Sequence, residues 1–163
     1  PPLGSSSSPA WEPSAAHLDI LSNPGKLLRR TGSTTASSPA MKYLGLAYFT
    51  PEKFAAMAPG EVQQLVSQCP ALDETMRATG QMLVSASLAD QDRWRTLRPR
   101  NGKTQISDGP YTEAKEVVGG LFIIEADTEA EALRIASLHP AAQLGEAGGW
   151  AVELIPLDFY LAP

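Results

Sequence analysis

The sequence predicts an α+β domain of two layers, a sheet covered on one face by two helices. Three observations carry that prediction. Lys42–Phe49, Gln81–Leu88, Val117–Ala126 and Trp150–Leu157 have the length and apolar or alternating composition of strands. Two stretches between them place apolar residues at 3- and 4-residue steps, the spacing of one helix face. Asn101-Gly102 separates two further strand-like segments, and both residues of such a hairpin turn need a positive φ. The resulting order is strand, helix, strand, hairpin, strand, helix, strand. Hairpin apart, it is the split βαβ pattern of ferredoxin-like folds.

Composition narrows the class. The chain has 163 residues, enough for one domain with a tail. It is 43% hydrophobic with a formal net charge of −5. That acidic balance argues against nucleic-acid binding, which needs clustered Lys and Arg to displace counterions from phosphates. Cys69 is the one cysteine, so no internal disulfide forms, and a reducing cytoplasmic setting is expected. No apolar run approaches the roughly 20 residues of a membrane span.

Residues 1–40 differ from the rest. They hold nine Ser, six Pro and three Gly, and their apolar clusters are too short to offset the entropy of ordering. They read as a disordered tail or an artificial leader, with Met41 as the natural start. The competing reading is a flexible arm whose Leu18–Arg30 patch docks elsewhere. His17 falls in this segment. Residues 41–163 form the expected domain and carry a net charge of −6.

Within it, Lys42–Phe49 is apolar on both faces and reads as a central strand. Val62, Leu65, Val66, Cys69, Leu72 and Met76 define the first helix, which Pro70 should kink or restart. Gly80 closes it, and Gln81–Leu88 is the second strand. The hairpin Trp94–Ile106 contains Pro99, which lacks a donor and favours a sheet edge. Gly119-Gly120, inside the next strand, suggests a bulge or a close backbone approach. Thr128 and Glu131 are spaced as a capping box, and Pro140 ends or kinks the helix they open. Trp150–Leu157 completes the sheet. Helices on one face leave the other open, and apolar residues on both faces predict that it packs on a second copy.

Ser107–Gly120 packs two Glu, an Asp, a Lys, three glycines and a proline between two strands, more special chemistry than a connector needs. Asp108-Gly109-Pro110-Tyr111-Thr112-Glu113-Ala114-Lys115-Glu116-Val117-Val118-Gly119-Gly120 resembles the signature D-G-P-F-x-E-x-K-E-x-x-G-G. That signature marks the DGPF-domain branch of YCII-related proteins. Met41–Leu44, Ile123–Asp127, His139–Ala142 and Val152–Leu154 agree with the same family, so the resemblance runs from Met41 to about Asp158. Tyr111 stands where the family usually has Phe. The resemblance implies a homodimeric α+β barrel with a cleft beside the DGPF loop. Distant relatives isomerise, dehalogenate or eliminate on small organic acids and lactones. It also implies an acid–base pair of a helix histidine and the motif aspartate. Here the corresponding helix position carries Cys69, followed by Pro70, and a thiol does not replace a histidine's proton transfer without a shifted pKa. Many DGPF proteins accompany extracytoplasmic-function sigma factors, which implies a regulatory alternative.

Asp108 is the candidate catalytic residue. It either caps its own turn or forms a partly buried general base. The candidate binding cleft comprises Gly109, Pro110, Tyr111, Lys115, Glu116, Gly119, Gly120, Cys69 and His139. Lys115 either pairs with Glu113 or Glu116 on the surface or holds a ligand carboxylate. The glycines serve backbone geometry or ligand approach. His139 suits a helix C-terminus as a cation, with catalysis as the sharper reading. Cys69 lies on an apolar helix face, and Tyr43, Tyr48 and Trp94 suit core or dimer packing. No cluster has metal-ligand spacing and no cofactor motif occurs, so neither is expected. Two functions follow: a small-molecule enzyme or binder of the lyase or isomerase kind, or a non-catalytic partner module.

Overall fold

The computed structural model describes residues 39–161, so the readings made for residues 1–38 fall outside it. Its elements are β1 (Met41–Phe49), α1 (Pro51–Ala56), α2 (Pro59–Arg77), β2 (Met82–Ser87), β3 (Arg95–Arg100), β4 (Lys103–Asp108), β5 (Val117–Ala126), α3 (Glu129–Ala136), α4 (Pro140–Gln143) and β6 (Ala151–Pro156). Four strands form one antiparallel sheet in the order β2-β5-β1-β6. This is the α+β, ferredoxin-like arrangement the element order predicts, with β1 and β5 at its centre. The hairpin is present as well, with Asn101 and Gly102 both at positive φ. It forms a separate two-stranded sheet and adds no strand to the main one.

Alternation along the strands decides the layers. On β1, Tyr43, Gly45 and Ala47 are buried while Leu44 and Leu46 are half-buried. Tyr43 joins Phe122, Ile124 and Ala126 of β5 in one core with Met76 of α2 and Ala132, Ile135 and Ala136 of α3. Directly paired residues share a face, so the open face carries Leu44 with Ile123 and Ile155, and Leu46 with Leu121. Lys42 and Glu125 are paired across the same face and joined at 2.6 Å.

Two elements differ in detail from expectation. Pro70 lies inside α2, and the helix runs through it without restarting. Pro70 and Val66 are both exposed, so water can serve the carbonyl that proline leaves without a donor. Val66 is accordingly the residue of the expected apolar face that stays exposed. At the start of α3, the Glu131 N–H donates to Thr128 Oγ1 at 3.1 Å. The Glu131 carboxylate then accepts from the Asp127 N–H at 3.0 Å, one residue earlier than a regular capping box. Proline at the first helical position of α1 and of α4 supplies two short helices that periodicity is too brief to show.

Gly119 is the bulge. Ala47 pairs with Gly120 and Tyr48 with Val118, which leaves Gly119 without an opposite residue. Its carbonyl accepts from the Leu88 N–H at 2.8 Å. Gly120 is the close approach: a Cβ there would stand 3.0 Å from the Ala86 carbonyl oxygen.

Candidate functional site

The helix-facing rows of the sheet change size along its length. Met82, Ile124 and Tyr43 are in register across three strands, followed by Ser85, Phe122 and Gly45, then by Ser87, Gly120 and Ala47. The first row is bulky and the last has almost no side chain. The helices above cannot close down on the small row, so a cleft of about 410 Å³ opens there. That volume suits a small ligand. Ala47, Gly120, Ser85 and Ser87 make its floor, and Cys69 and Asp73, one helical turn apart on α2, line it from the helix side. Phe49, Phe54 and Trp150 also line it. Phe54 meets Phe49 edge-on at 6.0 Å and stacks on Trp150 at 6.3 Å.

His139 lies between α3 and α4 and lines the same cleft. Its ring stacks on Phe122 with centroids 4.9 Å apart. Pro140 has no N–H, so the first free donor of α4 is the Ala141 N–H, which donates to His139 Nδ1 at 3.1 Å. An imidazole that accepts at Nδ1 carries its single neutral proton on Nε2. Burial pushes the His139 pKa below its ordinary value, and the carboxylate of Asp73 pulls it back in part. Among the described residues no buried side-chain nitrogen or oxygen lacks a partner. Nε2 has no hydrogen-bond partner among the described residues. The site thus presents a neutral imidazole with an anchored Nδ1 and an Nε2–H that is unpartnered among the described residues.

Cys69 is half-buried, and its thiol donates to the Leu65 carbonyl at 3.7 Å. Burial, and then the Asp73 charge, raises its pKa, so the thiol stays protonated at neutral pH.

The family model for the YCII-related domain matches residues 41–155, from the first residue of β1 into β6. The chain belongs to the YCII-related family. None of the curated proteins compared with it matches.

In this YCII-related protein the residues singled out from the sequence fall into two groups. Cys69, Gly119, Gly120 and His139 line the cleft. Asp108, Gly109, Pro110, Tyr111, Lys115 and Glu116 do not. Asp108 ends β4 with a side chain 88% exposed, and its Oδ1 lies 3.1 Å from Arg95 Nε. The partial burial that a desolvated base requires is absent there. Its carboxylate is spent on Arg95 and not on the N–H groups of its own loop.

Gly109, at φ +83°, donates its N–H to the Trp94 carbonyl, and its own carbonyl accepts from Thr96 Oγ1 at 2.8 Å. Gly109, Pro110 and Tyr111 border a shallow groove along β3. Tyr111 is exposed, with the Arg98 guanidinium 5.9 Å from its ring centre. Lys115 and Glu116 are exposed, and neither forms an ion pair among the described residues. An exposed pair gains too little to hold two long side chains in place.

His139 caps a helix, but at the opposite end and in the opposite charge state to the sequence expectation. It accepts at the N-terminus of α4 as a neutral ring, because Pro140 starts a new turn there. Tyr43 is core, and the Tyr48 hydroxyl donates to Glu153 Oε2 at 2.8 Å. Trp94 Nε1 donates to the Ala89 carbonyl at 2.7 Å.

Asp73, Asp90, Ser85 and Ser87 complete the cleft and escaped sequence reading. The readable signal was the Cys69–Asp73 spacing of one helical turn. No helix among the described residues is long and apolar enough to cross a membrane.

The lowered pKa of His139 has a consequence for stability. Between the depressed folded value and the ordinary value of about 6.5, the unfolded chain binds more protons than the native one. The contribution is therefore complete above pH about 6.5 and is lost as pH falls through the folded value. The thermal midpoint should drop between pH 7.5 and 5.5, and His139→Asn should flatten that slope. A slope of equal size in both proteins would refute the assignment.

Proposed function

We propose that this protein binds and turns over a small organic molecule in the cleft, by acid–base chemistry of the lyase or isomerase kind. The observation that carries the reading is the neutral His139 ring, anchored at Nδ1 by Ala141 and unpartnered at Nε2 among the described residues, in a cleft with a floor of glycine, alanine and serine. A neutral imidazole whose Nε2 bears the proton acts as a hydrogen-bond donor. It polarises a carbonyl and stabilises the oxyanion that develops when a neighbouring proton is removed. Asp73, which lines the cleft and whose charge acts on the same ring, is the carboxylate that takes that proton in this scheme. Asp108 remains with Arg95 in this scheme. The Asp108–Gly120 motif supports membership of the DGPF branch, and the protonated Cys69 thiol is a wall of the site.

The reading includes a homodimer formed through the open sheet face. Leu44, Leu46, Leu121 and Ile123 form an apolar centre there, bordered by the Lys42–Glu125 and Tyr48–Glu153 contacts. A surface of this kind, repeated by a two-fold axis, buries apolar against apolar and leaves its polar rim in water. The hairpin supports the same assembly. Leu97 and Ile106, cross-strand neighbours, are 61% and 64% exposed, and a two-stranded hairpin is marginal without further packing.

The cleft is tested by screening a fragment library against the ¹⁵N-labelled chain. Bound fragments should move the amides of Ser85–Leu88, Gly119, Gly120 and Ala141, and Gly120→Leu should abolish those shifts. Hits that gather elsewhere, or that survive Gly120→Leu, would overturn the reading. The assembly is tested by light scattering: the wild-type chain should have twice the chain mass, and Leu46→Asp with Leu121→Asp should give folded monomer. A wild-type monomer would remove the dimer from the account.

A further inference from the structure

The cleft also carries a charge signature. Asp73 and Asp90 line it, and among the described residues no Lys or Arg does. Asp73 forms no ion pair among the described residues, and neither does Asp90. His139, the remaining ionisable group that could be cationic, is held neutral by burial at ordinary pH. A ligand carboxylate entering this space would meet two carboxylates that no ion pair among the described residues neutralises, and like charges repel. The lining also includes three aromatic rings, Phe49, Phe54 and Trp150, whose faces attract cations as well as apolar groups.

Resting on the proposed function, the geometry points to a small organic amine as the ligand class: a protonated ammonium directed at Asp73 and Asp90, with an apolar or aromatic body against Phe49, Phe54 and Trp150. The serines of the floor, Ser85 and Ser87, add hydroxyls for a polar substituent. This separates the protein from the small organic acids that the family resemblance implies. Lys115, which the sequence offered as the alternative holder of a ligand carboxylate, is not among the described residues that line the cleft.

The test uses three probes of nearly the same shape: 3-phenylpropan-1-amine, 3-phenylpropan-1-ol and 3-phenylpropanoate. Each is titrated into the full chain at pH 7.5 and low salt, and read by the amides of Ser85–Leu88, Gly119, Gly120 and Ala141. The amine should bind most tightly, the alcohol about tenfold or more weakly, and the acid weakest of all, given the strength of hydrogen bonds to charged groups. Asp73→Asn and Asp90→Asn, both at exposed positions, should each weaken the amine and leave the alcohol unchanged. Raising the salt concentration should weaken the amine alone. Equal binding of amine and alcohol would overturn the inference, and so would tighter binding of the acid. In either case the shifted amides would still report an occupied cleft, which keeps the failure of the ligand class distinct from the failure of the site. Absence of amine binding at these amides would overturn the inference directly.

Discussion

The placement of the Phe122 ring decides both how the core packs and where the site opens. It is fully buried at the middle of β5 and pairs in register with Gly45 on one side and Ser85 on the other. The ring lies over Gly45, where any side chain would collide with it. It also stacks on the His139 imidazole, with ring centres 4.9 Å apart. On one side of Phe122 the sheet carries Ile124, Tyr43 and Met82, which fill the space under α2 and α3. On the other it carries Gly120, Ala47 and Ser87, which leave the space open. The ring is the boundary between a packed core and a cleft, and it fixes the plane of the histidine at that boundary.

The electrostatics follow from that boundary. A histidine pressed against Phe122 and tied at Nδ1 to Ala141 favours its neutral form, since burial penalises the charged one. The same burial keeps the Cys69 thiol protonated, with Asp73 adding to the effect. Both groups are thus held neutral, and the charges left among the described lining residues are the carboxylates of Asp73 and Asp90. The basic hairpin, with Arg95, Arg98, Arg100 and Lys103, lies outside this balance, and its single acid, Asp108, is neutralised by Arg95.

Much of the fold was legible because it rests on local signals. The periodicity of Val62 to Met76, the Asn101-Gly102 turn and the Gly119-Gly120 bulge each act within a few residues of themselves. The family was legible for the same reason, since the motif from Asp108 to Gly120 is contiguous. The site was legible only in part. Its floor is assembled from β1, β2 and β5, and no one segment shows that Ala47, Ser87 and Gly120 lie side by side. Density of special residues favoured Asp108, yet that density serves the hairpin's end, with Gly109 turning the chain and Arg95 taking the carboxylate. His139 was visible but read as a cation at a helix end. The chain instead starts a new turn at Pro140, and the same residue becomes an acceptor.

The most direct test of this account is the protonation of that ring. A ¹H–¹⁵N multiple-bond NMR titration of the imidazole reports both its tautomer and its pKa. The account predicts that His139 is neutral at pH 7 with the proton on Nε2, and that it titrates below the ordinary histidine value. A proton on Nδ1, or a ring that is already cationic at pH 7, would contradict it.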